Sequence, residues 1–209
     1  MIRLVTLLLF INLGFSQNQG FEIKYDISFS NGLSNNKLKS IYFTLLITQN
    51  ESYFYSNTVM GIDDSKYQRF ISILSNQFYY VNLEEKLKLG GIKISGKKLL
   101  VEEEWKKGWI LKNEFKKILG LKCQKAIRLL KPRKSDETKT VTAWFSNDIS
   151  YPFGPKDNEG LPGLILEYGD DIKFTAYSIE KKELKIQRPL GEILSGEELK
   201  RKTHQLMRN

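Results

Sequence analysis

A period of two constrains this chain more than any other feature. Phe21, Ile23, Tyr25, Ile27 and Phe29 alternate with polar residues, the pattern of a strand with one face in a core and one in water. The strand rhythm returns over Lys39 to Thr48, Glu51 to Ser56, Gln77 to Asn82, Lys97 to Glu103, Gly108 to Asn113, Cys123 to Leu130 and Thr138 to Ser146. Leu164 to Tyr168, Ile172 to Glu180 and Glu183 to Gln187 extend it. Asn31-Gly32, Asn35-Asn36, Gln49-Asn50 and Gly90-Gly91 read as turns between these runs. Links this short join antiparallel neighbours.

Two segments break the rhythm. Tyr67, Phe70, Ile71 and Leu74 fall at helical spacing within Asp63 to Ser75, where Asp63 or Asp64 supplies a cap. Near the end, Ser195 and Glu198 form a capping box for a closing helix over Gly196 to Met207. No polar linker divides the chain and no repeat recurs. The expectation is a mainly β single domain with one or two short helices.

The first sixteen residues do not belong to that domain. Met1-Ile2-Arg3 is a short basic start, Leu4 to Leu13 is apolar, and Gly14-Phe15-Ser16 supplies small residues before Gln17. This is the layout of a cleaved signal peptide, and it falls short of the roughly 20 residues of a bilayer span. The expected division is therefore a leader at 1–16 and a mature domain at 17–209, soluble and without a transmembrane span. No cysteine lies near the cut, so the mature protein is not expected to be a lipoprotein. Its expected compartment is the periplasm, possible association with the outer membrane included.

The chemistry-bearing residues are few. The chain has one Cys and one His, which excludes an intrachain disulfide and a His-rich or Cys-rich metal site. His204 sits in the basic closing helix, with no nucleophile or orienting acid beside it. Lys122 and Lys125 flank Cys123 and could activate its thiol, but alternation equally makes it a half-buried apolar thiol. Acidic residues gather at Glu102-Glu103-Glu104, Asp157-Asn158-Glu159 and Asp170-Asp171. The first reads as surface pairing with Lys106-Lys107, the last as a hairpin turn after Gly169, and all three as turn or surface composition. No phosphate loop, nucleophile elbow or dinucleotide fingerprint is present. We therefore expect no catalytic residues, no metal and no cofactor, and no enzyme.

The net charge is +9, and cleavage of the leader lowers it by one through Arg3. In an exported chain this excess points to solubility, or to anionic headgroups or an acidic protein surface, and not to nucleic acid.

The stretch from Ala143 to Tyr168 is the most distinctive. Tyr151-Pro152-Phe153-Gly154-Pro155 is a stiff aromatic loop, and Leu161-Pro162-Gly163-Leu164 fits a type II turn with Pro second and Gly third. Flanking Leu and Ile side chains would lock that turn onto the core. Trp144, Tyr151, Phe153 and Pro155 are then candidates for an apolar surface that meets a ligand or partner.

The hexapeptide Gly160-Leu161-Pro162-Gly163-Leu164-Ile165 resembles the motif that names the GLPGLI family of exported bacterial proteins. Lys117-Ile118-Leu119-Gly120-Leu121-Lys122-Cys123-Gln124-Lys125-Ala126 is similar to a second family segment, and Ala143-Trp144-Phe145 followed by Gly154-Pro155 to a third. Phe145 stands where the family more often has Tyr. The family resembles exported proteins of Gram-negative, Bacteroidetes-type bacteria and defines no catalytic residues. Genes of such proteins stand beside those of TonB-dependent transporters. The resemblance thus implies a non-enzymatic binding or accessory protein at the periplasmic side of the outer membrane, with such a transporter as partner. Strand order also resembles half-open β-barrel lipoprotein carriers, which implies a curved antiparallel sheet and, as the alternative role, transport of a lipid or other hydrophobic ligand.

Overall fold

The structure is a computed structural model that describes residues 19–29, 41–58, 72–94, 96–106, 108–130 and 138–206. The leader, the Asn31-Gly32 and Asn35-Asn36 turns, most of the helix expected from Asp63, Lys107 and Met207 lie outside the described residues. The strands are β1 (Gln19–Phe29), β2 (Ile41–Ile47), β3 (Glu51–Thr58), β4 (Gln77–Asn82), β5 (Leu87–Ile94), β6 (Lys97–Glu102), β7 (Ile110–Ile118), β8 (Leu121–Leu130), β9 (Lys139–Ser146), β10 (Leu164–Tyr168), β11 (Ile172–Glu183) and β12 (Glu192–Ile193). A short helical turn occupies 72–76 (α1), the described end of the helix expected over Asp63 to Ser75. The closing helix is α2 (Gly196–Leu206). Ser195 caps it as expected: Glu198 N donates to Ser195 Oγ at 3.3 Å, while Ser195 N donates to Glu198 Oε2 at 2.9 Å.

All strands join one open sheet in the order β12-β6-β5-β4-β3-β2-β1-β11-β10-β9-β8-β7. Every ladder is antiparallel except the short parallel one between β12 and β6. Chain connectivity forces this sheet to curl. Flat, the ten steps from β6 to β7 would cover about 48 Å at strand spacing, whereas residues 103–109 between them reach about 30 Å at most. Curvature brings the two ends close enough for that connection. Mainly β, curved and antiparallel, with a closing helix, is the fold the sequence leads one to expect.

The core lies on the concave face. Ile23, Tyr25 and Ile27 of β1 point there, and register extends the row through Tyr25 to Phe43 and Ala176, Leu45 to Phe54 and Phe54 to Tyr79. Phe43 stacks on Phe54 at 5.2 Å, and Phe174 meets both rings edge-on at 5.1 and 5.6 Å. Each buried side chain of this size contributes about 1.5–3 kcal/mol. A smaller core covers the outer face, where Ile186 packs with Phe78, Tyr80, Leu89 and Leu100.

Two sequence readings need correction. Gly90-Gly91 is no turn but lies inside β5, between a turn at 83–86 and residue 96. A Cβ on Gly91 would lie 2.4 Å from the Phe78 ring and 2.8 Å from the Leu99 carbonyl, so close packing and not reversal requires glycine there. Ile172 to Glu180 and Glu183 to Gln187 are not two strands. β11 runs unbroken to Glu183, and residues 184–190 cross the outer face without regular structure.

Candidate functional site

Residues 147–163, between β9 and β10, fold back onto the concave face. Tyr25 Oη donates to the Ile165 carbonyl at 2.7 Å, and Ile165 N to the Phe153 carbonyl at 2.9 Å. Leu161, Leu164 and Ile165 of the hexapeptide are all in the core. The turn is not type II, because Gly163 has no positive φ; the left-handed residue is Gly160, at 89°. Gly163 is needed for another reason: a Cβ there would stand 2.0 Å from the Ser146 carbonyl oxygen. The motif is a close approach of two backbones.

The four aromatic and proline candidates do not assemble into one surface. Phe153 and Pro155 are buried, filling the concave face. Their apolar side chains were expected at a surface, but a loop lying on a concave sheet turns them inward. Tyr151 is half-buried, edge-on to Phe21 at 5.4 Å. Trp144 is on the opposite face, since its neighbours Ala143 and Phe145 point into the core. Lys116 lies over its ring at 4.5 Å and Lys125 at 6.0 Å.

The acidic triplet of this loop is likewise not surface composition. Asp157, Asn158 and Glu159 are buried and meet cations from both arms of the sheet. Lys88 of β5, with a side-chain exposure of 0 %, holds Glu159 Oε2 at 2.9 Å and Asp157 Oδ2 at 3.4 Å. Lys106 Nζ donates to Asp157 Oδ1 at 2.5 Å. From β8, Arg128 donates to Asn158 Oδ1 at 3.3 Å and to the Glu159 carbonyl at 3.1 Å, with its guanidinium 3.9 Å from the Trp109 ring centre. Trp109 Nε1 donates to the same carbonyl at 3.0 Å.

The Asp157 carboxylate is held as an anion. Burial pushes the Asp157 carboxyl up, but the Lys106 and Lys88 ammonium groups outweigh it and keep it below its ordinary value. Burial pushes the neighbouring Tyr168 hydroxyl up to about 12, against the opposing hydrogen bond with Asn158. Burial also lowers Arg128, which the nearby Glu159 opposes. Paired and shut from water, the 157–159 segment acts as a clasp between Lys88 of β5 and Arg128 of β8. Cys123 is buried too, and burial pushes its thiol up, away from reactive thiolate. Asp170 accepts from Thr142 N at 3.2 Å beside left-handed Gly169, as a hairpin turn should. His204 is exposed on α2. Among the described residues no three His, Cys, Asp or Glu side chains gather into a metal-binding group.

Among the described residues a small groove and an edge stand open. Between α2 and the concave side of β4–β6 lies a cavity of about 260 Å³, lined by Tyr79, Ile92, Val101, Glu103, Leu199 and His204. At the far end of the sheet, β7 pairs with β8 alone among the described strands. Ile110, Leu111, Phe115 and the adjoining Leu119 are 46 %, 50 %, 48 % and 47 % exposed. Sequence reading missed both this edge and the clasp. The strand expected over Gly108 to Asn113 stops short of Phe115 and of the adjoining Leu119. The Lys88–Glu159 contact spans 71 residues and leaves no local trace. The only signal for it was a lysine at an inward position of β5.

Residues 130–167 match the model of a family described as a protein of unknown function (Porph_ging). That segment includes the hexapeptide on which the GLPGLI resemblance rests, and the description of the matching family does not carry that name. A search of curated proteins finds no match. Among solved structures, PNGF-II in a C2 crystal superposes with a TM-score of 0.64 at 15% identity, over 90% of this chain and 33% of that one. PNGF-II in a P21 crystal does so with a TM-score of 0.64 at 16% identity, over 90% and 34%. The likeness is one of fold, and this chain spans about a third of the length of those structures. No helix among the described residues is long and apolar enough to cross a membrane.

Proposed function

We propose that this chain is an exported binding or accessory protein without catalytic activity, acting at the periplasmic side of the outer membrane. The observation that carries this reading is β7. It is a nine-residue edge strand with three half-exposed apolar side chains and, among the described residues, no sheet partner on its outer side. Apolar residues in water along an open edge are a standing invitation to another chain. The locked state of Asp157 and Glu159 supports a binding role over carboxylate catalysis, because a general acid or base must exchange its proton with substrate. The same fold making up about a third of PNGF-II suits a module that works beside other parts. A TonB-dependent transporter is the partner that the GLPGLI resemblance suggests.

The carrier reading has less support. A lipid needs the concave face, and Phe153, Pro155 and Leu161 fill it. The groove under α2, at about 260 Å³, lies below the roughly 300–1,000 Å³ of ordinary ligand pockets. Native mass spectrometry of the mature protein, purified from its own host in gentle detergent, tests the choice. A stoichiometric membrane-protein partner, lost from a folded Leu111→Ser/Phe115→Ser variant, is the expected result. Extra mass of lipid size on a lone chain would transfer the proposal to the carrier, and a bare monomer would defeat both.

A further inference from the structure

Resting on that binding role, we infer that β7 takes an extended, acidic segment of a partner protein as an added antiparallel or parallel strand. Three observations converge. First, among the described residues no strand pairs with the outer side of β7, whose register against β8 shifts between Leu111 and Phe115, and an extended chain offers its backbone donors and acceptors partners on either side of that shift.

Second, the charge at this edge is one-sided. Lys112, Lys116, Lys117, Lys122 and Lys125 lie on β7 and β8, against Glu114 alone as their acidic member. Lys125 pairs with Glu114 at 2.9 Å and Lys116 with Glu167 at 2.7 Å. Lys112 and Lys117 have no carboxylate partner among the described residues. A second copy of β7 would set these lysines against their own kind, which opposes self-pairing. A strand with Glu or Asp at alternate positions would meet them with opposite charge.

Third, the β7–β8 turn is held in a costly shape with its side chain outward. Leu119 and Gly120 both have positive φ, 51° and 78°. A two-residue hairpin turn of this kind favours Asn or Asp before Gly, yet Leu119 occupies the place and is about half exposed. With Phe115, whose ring lies under Lys122 at 4.5 Å, it forms an apolar anchor at the end of the edge. Lysines and a register shift alone would mark a guarded edge; the exposed Phe115 and Leu119 are the apolar contacts that a bound strand would cover.

The test uses the full mature chain and a blocked ten-residue peptide alternating Glu with Val, beside its Lys–Val counterpart. Fluorescence anisotropy should show binding of the acidic peptide alone, weakening with salt. Hydrogen exchange should slow at amides of β7 and nowhere else in the sheet. Lys112→Glu/Lys117→Glu should weaken binding at least tenfold while leaving the unfolding midpoint unchanged. Phe115→Ser should weaken it with the salt dependence retained. Acidic-peptide binding without protection of β7 overturns strand addition, as does chain dimerisation through β7 or binding only to phosphatidylglycerol vesicles. If no peptide binds but the native complex forms and ignores the double charge reversal, strand addition fails and the binding role stands. If no native complex forms either, both fall.

Discussion

Single residues in the 147–163 loop work by different physics, and substitution separates them. Gly163→Ala drives a methyl group into the Ser146 carbonyl, at 2.0 Å, and neither backbone can yield without breaking its ladder. We expect a loss of about 3 kcal/mol, as for an overpacked core, read from the urea midpoint. Gly160→Ala meets no atom within 4 Å and suffers only its left-handed φ, so about 1 kcal/mol is expected. Equal losses would contradict this division. Asp157 adds a pH dependence. Its folded carboxyl is held below the ordinary 3.8 by Lys106 and Lys88, which outweigh burial. A depressed folded value means that the unfolded chain takes up the proton more readily. The stabilisation is therefore complete above about pH 4 and disappears as the pH falls through the folded value. Asp157→Asn should flatten stability against pH in that acidic range, and an unchanged slope would show that the clasp is not what titrates. The hexapeptide was legible in the sequence as a fixed turn because Pro and Gly announce one. Its mechanism was not, since the Ser146 carbonyl that demands Gly163 is a partner supplied only by folding.

Elements were more legible than their ends and links. Alternation located β1, β2, β3, β4, β6, β8, β9 and β10 within a few residues, and the capping box located α2. The signal failed at β5, because Gly90 and Gly91 carry the composition of a turn while serving as a thin place, over which Glu103 packs at Gly90 and Phe78 at Gly91. It failed again at β7, where Lys112, Lys116 and Lys117 interrupt the apolar positions and most side chains are exposed. An edge strand has no second neighbour to impose a pattern, so its sequence records other demands. The β7–β8 hairpin makes that claim testable through stability. Leu119 sits in the left-handed region at 51°, a conformation that costs an ordinary L-residue roughly 1–2 kcal/mol and Asn less. Leu119→Asn should therefore raise the thermal midpoint of the isolated chain by a few degrees, in line with about 0.5–1 kcal/mol. The same variant should bind the acidic peptide more weakly. A variant that is less stable would mean that Leu119 serves folding and not an interface.

At the scale of the whole molecule, the loop and its clasp decide whether a long open sheet holds one curvature. Chain connectivity brings β6 near β7, but it does not fix the distance between the arms. Lys88 on β5 and Arg128 on β8 do, because each binds the 157–159 segment, although seven strands of the sheet order stand between them. That arrangement makes a distinction between breaking the clasp and replacing it. Lys88→Met removes the cation that holds the Glu159 carboxylate and leaves Lys106 on Asp157 and the nearby Arg128 as the remaining support, which should cost about 3–5 kcal/mol. Lys88→Met with Asp157→Asn and Glu159→Gln removes both carboxylates along with Lys88, while buried Arg128 keeps its bonds to Asn158 Oδ1 and the Glu159 main-chain carbonyl, so much of the loss should be recovered. The two variants should differ in shape as well as stability. With the clasp broken, hydrogen exchange should quicken in 153–163 and at Arg128 while β1–β3, whose aromatic core is untouched, stays protected. If Lys88→Met unfolds the chain in one step with no difference between these regions, curvature and core are one cooperative unit. If instead the triple variant is no more stable than Lys88→Met, the ionic contacts themselves, and not the relief of buried charge, hold the two arms of the sheet in place.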